Sequence, residues 1–377
     1  MRRVSELIQE YCPNGVEFKK LGEIVTIKTG KTVNKGYIAQ NPGKYPVINS
    51  GVEPLGYVNT YNTVDDELGV TSRGAGVGTV LWTEGKYFRG GLNYGLTPKT
   101  EVGINKRFLY HVLLHSKHAI DALCVFSGIP ALNASNLERL EIPLPPLPVQ
   151  AEIVRILDSF TELTAELTAE LTAELTARKK QYEFYREELL KLEGVEGVEW
   201  KKLGELLGYE QPTKYIVKST GYDESYETPV LTAGQTFILG YTDEVEGIYQ
   251  ATKDKPVIIF DDFTTGFHWV DFDFKVKSSA MKFLKPKHDG VNFRYIYHCM
   301  RTLPFELDGH RRRWIREYSE LEIPIPSLDE QERIVSILDQ FDTLTNSLTE
   351  GIPAEIELRQ KQYEFYREKL LTFNKGA

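Results

Sequence analysis

Three histidines, His111, His115 and His118, stand at i, i+4 and i+7, a spacing that on a helix could turn two imidazoles toward one metal ion. The adjacent carboxylates Asp261 and Asp262, and the triplet Glu84-Gly85-Lys86, have the residue types of a metal-dependent nuclease. Gly30-Lys31 and Gly85-Lys86 end like a phosphate-binding loop, and Asn41-Pro42-Gly43-Lys44 begins like the Asn-Pro-Pro-Tyr loop of an amino-methyltransferase. Each reading fails on its neighbours. Neither Gly-Lys pair has a glycine five residues before it, and the Asn41 segment departs from its pattern at both last positions. Aligning YHVLLHSKH with YIYHCMRTL leaves only His111 a counterpart, His298. The acidic pieces fall at non-equivalent places in the two halves of the chain described below, so the sequence predicts a non-catalytic protein without a bound metal or cofactor.

Binding chemistry is better represented. Arg311-Arg312-Arg313-Trp314-Ile315-Arg316 is the densest positive feature of the chain. Arginine can bridge guanine O6 and N7 or clamp a phosphate; the competing reading is a solvated or domain-stabilising basic strip, and on either reading Trp314 is expected in the core. His268 and Trp269 beside Gly266 could form an exposed loop at a groove, although the alternation FHWVDFDF equally describes a half-buried strand. Arg73 lies in Ser72-Arg73-Gly74-Ala75-Gly76, where glycines permit close backbone approach to a phosphate or base edge, or else a tight hairpin. Lys31, Lys35, Lys86 and Arg89 sit beside glycine or aromatic residues and could add phosphate contacts.

The elements that must position these groups follow from length and pattern. A chain of 377 residues is too long for one ordinary core, so two globular domains with connecting structure are expected. There is no uninterrupted apolar run long enough to cross a bilayer, and the first residues lack the apolar stretch of a secretory signal, which predicts a cytoplasmic address. Cys12, Cys124 and Cys299 are far apart and in no C-x-x-C pairing, so they read as reduced, mostly buried thiols. The net charge of −9 taken whole speaks against nucleic acid, but residues 141–200 carry −7 and residues 322–377 carry −5, leaving +3 on the remainder. Phosphate recognition responds to local field, so the total charge excludes little.

The chain repeats itself. GVEFKKLGEI at 15–24 returns as GVEWKKLGEL at 197–206, EIPLPPLPVQAEIVRILDSF at 141–160 as EIPIPSLDEQERIVSILDQF at 322–341, and RKKQYEFYREELL at 178–190 as RQKQYEFYREKLL at 359–371. Three blocks in one order with one spacing define two copies of one architectural unit. Each copy has a variable globular part and a nearly repeated helical part. From Val149 to Glu193 neither proline nor glycine intervenes and Gly194 is a suitable stop, which predicts a rod of roughly 65 Å. Such a rod needs a mate for its leucine stripe, and the second copy, from Asp329 to Thr372, supplies one; Ser327 with Glu330 fits a capping box at its start, and Gly351-Ile352-Pro353 should break or kink it. Glu6-Leu7-Ile8 precedes GVEFKKLGE as Glu188-Leu189-Leu190 precedes GVEWKKLGE, which predicts a circularly arranged molecule with its termini close together.

Residues 161–177 repeat T-A-E-L, with leucines at Leu163, Leu167, Leu171 and Leu175. Taken alone this is an amphipathic helix, but a strict period of four adds about 6 Å of helix per repeat. That is close to two base-pair steps of B-DNA, at about 3.4 Å each.

With these blocks in view, the whole chain resembles a specificity subunit of type I restriction-modification systems. The T-A-E-L run, the EIPxPxL…Q…I…ILD blocks and QYEFYRE carry the resemblance in combination, and VIIFDDFTTGFHWVDFDFKVKSSAMKFLKP (257–286) and HRRRWIREYSELEIPIP (310–326) look like stretches of one class of recognition domain. The first region departs from that class, with VTSRGAGVGTVLW at 70–82. The resemblance implies an α/β (α+β) protein of two sheet-rich recognition domains separated by two long antiparallel helices in a coiled coil. Its parts are an N-terminal helix (1–16), recognition domains at 17–140 and 201–321, and helical spacers at 141–200 and 322–377. It also implies double-stranded DNA as ligand, two modification subunits that carry S-adenosylmethionine, and restriction subunits that use ATP and Mg²⁺. The bipartite target should be non-palindromic, because the recognition regions hardly match. Gln181, Tyr182, Phe184, Tyr185 and Arg186, repeated as Gln362, Tyr363, Phe365, Tyr366 and Arg367, are the expected docking surface for the modification subunits. The competing reading is a helical adaptor whose globular parts bind protein; it leaves the divergence of the two heads unexplained.

Overall fold

The computed structural model describes residues 2–234, 236–307, 309–347 and 350–376. The chain forms two compact units, one of residues 1–170 with 356–377 and one of residues 171–355.

In the first unit a four-stranded antiparallel sheet has the order Val25–Thr29, Asn93–Pro98, Leu68–Thr71, Val80–Trp82. A three-stranded sheet places Pro42–Ile48 between Tyr57–Val58, antiparallel to it, and Phe88–Arg89, parallel to it. Phe18–Lys20 pairs with Glu141–Pro143 where the domain meets its helix. The second unit has the same plan. Its four strands run in the order Leu207–Glu210, Met281–Pro286, Val257–Asp261, Phe267–Val270, and its three in the order Ile238–Thr242, Thr228–Leu231, Lys275–Val276, while Glu199–Lys202 pairs with Glu322–Ile325. Equal topology thus arises from recognition sequences that hardly match.

The strand Val257–Asp261 shows how pattern becomes fold. Successive side chains of a strand face opposite ways. Ile258 and Phe260 enter the core that covers the helices, whereas Val257 and Ile259 enter a second core with Val276 and Phe283. The equivalent space in the first unit is filled differently. Gly69 and Gly95 lie opposite each other in register, and a Cβ on Gly69 would meet Asn93 Oδ1 at 2.6 Å and an Arg89 guanidinium nitrogen at 2.7 Å. The glycines make room for Arg89, which is 4% exposed.

The helix Leu147–Leu190 is continuous for 44 residues. Its first part belongs to the first unit and its last part to the second. Gly194, at φ +73°, follows its end in the left-handed conformation that suits glycine. The second rod is not continuous: Leu328–Asn346 ends before Gly351, at φ +97°, and a new helix spans Ile352–Leu371. Pro353 falls in the first turn of that helix, where its missing N–H breaks no hydrogen bond. Ser327 caps Leu328–Asn346 by accepting from the Glu330 amide at 3.4 Å, while Glu330 itself pairs with Arg333 rather than closing the box. Within each unit two helices pack antiparallel. In the first, Phe160 stacks on Tyr366 at 5.0 Å and the Thr161 hydroxyl donates to the Tyr363 hydroxyl at 3.1 Å; in the second, Tyr185 stacks on Phe341 at 5.5 Å. The leucine stripe is less covered than expected, with Leu163 50% exposed. The two ends of the chain meet in the first unit, where the Val16 amide donates to Asn374 and the Gly376 amide to Val16.

Each head is fastened to its helix by one repeated set of side chains. The Asn105 side chain caps Lys106–His115 by accepting from the Arg107 and Phe108 amides, and the Asn105 amide donates to Gln150 Oε1 at 2.8 Å. Arg107 Nε and His111 Nε2 both reach Asp158, at 2.9 and 2.7 Å. In the second unit Asn292 caps Phe293–Met300 and its amide donates to Gln331 at 2.9 Å. Arg294 Nε and His298 Nε2 reach Asp339, each at 2.7 Å, and a second carboxylate, Asp342, takes Arg294 at 2.6 Å.

Candidate nucleic-acid interface

The hairpin formed by Leu68–Thr71 and Val80–Trp82 carries Arg73 at its tip, with Gly74 at φ +97°. A second loop is sewn to this tip by backbone hydrogen bonds: Gly74 N–H donates to Pro130 at 2.9 Å and Leu132 N–H to Ser72 at 2.8 Å. The tip is a composite of two loops, and Arg73 is exposed on it.

The equivalent hairpin of the second unit turns at Asp261–Gly266, with Thr265 at φ +57°, an uncommon conformation for a residue other than glycine. It too is sewn to the loop that follows the domain helix. Asp262 accepts at its carbonyl from the Arg313 amide (2.8 Å), and its Oδ1 accepts from the Arg313 and Trp314 amides (3.0 and 2.8 Å). Phe263 stacks on His310 at 4.4 Å. Arg311, Arg312 and Arg316 are exposed on this loop. Arg311 Nε donates to Glu317 at 2.7 Å, and that bond, with a second from Arg313, holds the Glu317 carboxyl below the usual range. Arg312 lies 4.0 Å from Asp262. Trp314 packs in the core against Phe260, as the sequence predicts.

Three expected contacts need correcting. Arg313 has a side chain 0% exposed; it donates to Glu317 at 2.8 Å and to the Gly309 carbonyl at 3.0 Å, so it braces the loop from within. Arg89 is enclosed in the slot left by the two glycines, where it donates to Asn93 at 2.6 Å and pairs with Asp66 at 3.2 Å, so it joins the two sheets of its domain and is not an exposed phosphate contact. His268 is not at a loop tip. It lies in the strand Phe267–Val270, its Nε2 donates to the Gly234 carbonyl at 2.9 Å, and its ring stacks on Phe237. Burial pushes its pKa down. With Arg186 and Arg301 it lines a cavity of about 440 Å³.

The lysines are exposed. Lys31 bridges Gly90 through its backbone and lines a cleft of about 330 Å³ with Lys28 and Asp66. Lys35 opens a short helix capped by Asn34. Lys86 Nζ sits 4.9 Å from the centre of the Tyr61 ring. The histidine series dissolves as a metal site: His111 is buried on Asp158, and among the described residues no cluster of three or more histidine, cysteine or acidic side chains is placed to hold a metal ion.

The expected docking residues divide in two. Tyr182 turns inward, 3% exposed; its hydroxyl donates to His298 Nδ1 at 3.3 Å and burial pushes its pKa up to about 12. Tyr185, Tyr363 and Tyr366 are engaged within their own units, as above, and Gln181 and Gln362 accept from Arg178 and Arg359. Phe184 and Phe365, each 59% exposed, are the most exposed of these rings, with Tyr185 at 39%. Arg186 and Arg367 lie over Tyr182 and Tyr363, and in both the buried Nε has no hydrogen-bond partner.

Sequence reasoning missed the fastening. Its signal was present as Asn-x-Arg-x-x-x-His, at 105–111 and again at 292–298, with Gln and Asp eight apart at 150 and 158 and again at 331 and 339.

Residues 13–177 and 195–358 each match the family described as type I restriction modification DNA specificity domain. A type I restriction enzyme specificity subunit of Escherichia coli is 54% identical over 202 residues, an alignment that covers 51% of this chain and 48% of that relative. Two chains named as type I specificity subunits match over nearly their whole length. One, of Mycoplasma pneumoniae, is 34% identical over 85% of this chain and 97% of its own; the other, of Haemophilus influenzae, is 34% identical over 95% and 96%. The solved S subunit of a type I system from M. genitalium shares the fold with a TM-score of 0.54, at 20% identity and coverage of 95% and 96%.

Proposed function

The chain belongs to the type I restriction-modification DNA specificity family, and on that footing we propose that it is the non-catalytic subunit that reads a bipartite DNA target for a methylation and restriction complex. One observation carries the reading furthest: two domains of identical strand order are fastened to helices by the same side chains, yet end in tips of different composition. Two heads of one strand order whose exposed tips differ suit two different half-sites, hence a non-palindromic sequence. The recognition regions are 17–140 and 201–321. Arg73 on one tip and Arg311, Arg312 and Arg316 on the other are the base or phosphate contacts, and Lys31, Lys35 and Lys86 add phosphate contacts.

The T-A-E-L stretch of the long helix sets the gap between half-sites. Phe184 and Phe365, with Arg186 and Arg367 beside them, dock two modification subunits, which bring S-adenosylmethionine; restriction subunits bring ATP and Mg²⁺. Among the described residues no helix is long and apolar enough to cross a membrane, and the cytoplasm is the proposed location. Mapping methylated adenines genome-wide in a host with and without this chain tests the reading. A bipartite motif that appears only with the chain is expected; an unchanged pattern refutes it.

A further inference from the structure

The two tips differ in a way that specifies what each reads. On the first, the loop sewn to Arg73 runs from Val125 to Ala131, residues that bridge each other in antiparallel fashion and so close it into a small hairpin. Its most exposed apolar side chains are Phe126, 63% exposed, and Ile129, 73% exposed, with the exposed Ser127 between them. Gly128, at φ +87°, makes the turn between them, and neither apolar residue joins the domain's core. Among the described residues of this composite the one cation is Arg73, whose backbone pairs with Ala131. The second tip also exposes an apolar side chain, Ile315 (59%), but sets it among arginines, of which Arg311 is held on Glu317 and Arg312 lies near Asp262.

We infer that the first tip recognises thymine in the major groove, with Phe126 and Ile129 packing against its 5-methyl group while Arg73 holds the neighbouring guanine or phosphate. This rests on the reading of the chain as a DNA-sequence reader. Among the groups that base pairs display in the major groove, the thymine methyl is the apolar one; the others are hydrogen-bond donors and acceptors. A carbon side chain pressed on a polar edge strips its water and returns nothing, at a cost. Against a methyl group the same side chain gains by burial. The backbone bonds from Gly74 to Pro130 and from Leu132 to Ser72 fix the loop before DNA arrives, so little ordering entropy opposes the contact.

The test removes one methyl at a time. The chain assembled with its modification subunits is titrated against a duplex bearing the mapped target, and against duplexes in which each thymine in turn is replaced by deoxyuridine. The same series is repeated with F126A/I129A. For at least one thymine of one half-site, the replacement should weaken wild-type binding about four-fold, the worth of one buried methyl group. The variant should be insensitive at that position, and should keep its melting temperature, its assembly and its sensitivity to changes in the other half-site. Indifference of the wild type to every deoxyuridine overturns the inference, as does an equal loss in wild type and variant. A variant that fails to assemble assigns the loop to a protein contact and overturns it too. If the wild-type complex does not prefer its target over a scrambled duplex, the reading as a DNA-sequence reader has failed, and the inference with it.

Discussion

Replacing Asp339 with alanine removes the acceptor that a buried donor, His298, and a half-buried one, Arg294, share. His298 has a side chain 0% exposed and donates through Nε2 to Asp339 at 2.7 Å; its Nδ1 is already occupied by the Tyr182 hydroxyl. In the variant a buried N–H is stranded, at a cost of about 1–3 kcal/mol. Arg294, 16% exposed, loses Asp339 but keeps Asp342 at 2.6 Å. Because the Asp339 side chain is 38% exposed, solvent screens that pair, and its loss adds about 1 kcal/mol. The expected destabilisation of the second unit is about 3 kcal/mol, a fall in melting temperature of roughly 6–12 °C for a unit of this size. Urea denaturation followed by tryptophan fluorescence is suitable, since Arg294 lies 4.7 Å from the Trp269 ring. Asp158→Ala should act alike on the first unit, where Arg107 and His111 share the carboxylate. A double-mutant cycle of Asp339→Ala with His298→Leu should show a coupling of about 1 kcal/mol or more. A loss below about 1 kcal/mol in the single variant, with no coupling, would refute the claim that this cluster fastens the head.

Three further outcomes are expected. Arg313→Ala should destabilise the second unit by about 2–3 kcal/mol, whereas Arg316→Ala should leave its denaturation curve unchanged and weaken binding at one half-site about ten-fold; the reverse pattern in melting and gel-shift assays would undo the placement of the two arginines. Burial pushes the pKa of His111 and His298 down, and protonating His111 would bury an N–H at Nδ1, which has no partner. Their folded-state values lie below the unfolded value of about 6.5, so the stability they contribute is complete above that pH and is lost as pH falls through the folded values, by at most about 1.4 kcal/mol per pH unit for each histidine. Urea midpoints should therefore decline below pH 6.5, and less steeply in His298→Leu; a flat profile down to pH 5 contradicts this. Deleting Thr168–Leu171 should shorten the recognised gap by about two base pairs or abolish activity, and methylation mapping that finds the old spacing at full activity disproves the ruler.

Much of the architecture is legible in the sequence because it depends on patterns along one chain. The three repeated blocks announce two units, the proline-free and glycine-free stretch before Gly194 announces the long helix, and Gly351-Ile352-Pro353 announces the break. What escapes is set by neighbours distant in sequence. Arg89 and Arg73 look alike as cations beside glycine; only the slot opened by Gly69 and Gly95 makes the first an internal strut. Arg313 is surrounded by arginines in sequence, yet the bonds that its own amide and that of Trp314 donate to Asp262 of the hairpin turn it inward and leave Arg312 and Arg316 outside. In QYEFYRE the helix period separates Tyr182, which meets His298, from Phe184, which faces outward.

The contrast between the heads shows where change is physically cheap. Between the two sheets of a domain, one unit uses Arg89 in a glycine slot and the other uses Val276 against Ile259 and Phe283. Both solutions close the same topology, because every group involved lies within one head and can be exchanged as a set. Where a head meets its helix, the partners are divided between the two: Asn105, Arg107 and His111 on one side, Gln150 and Asp158 on the other. A change on either side alone strands a buried donor or acceptor at about 1–3 kcal/mol. The second unit therefore keeps the same five residue types at Asn292, Arg294, His298, Gln331 and Asp339, although the rest of its head hardly resembles the first. The tips, one with Arg73 beside Phe126 and Ile129 and the other with Arg311, Arg312 and Arg316 around Ile315, lie outside that constraint. New base preferences can thus arise at the tips without disturbing the attachment that aims them.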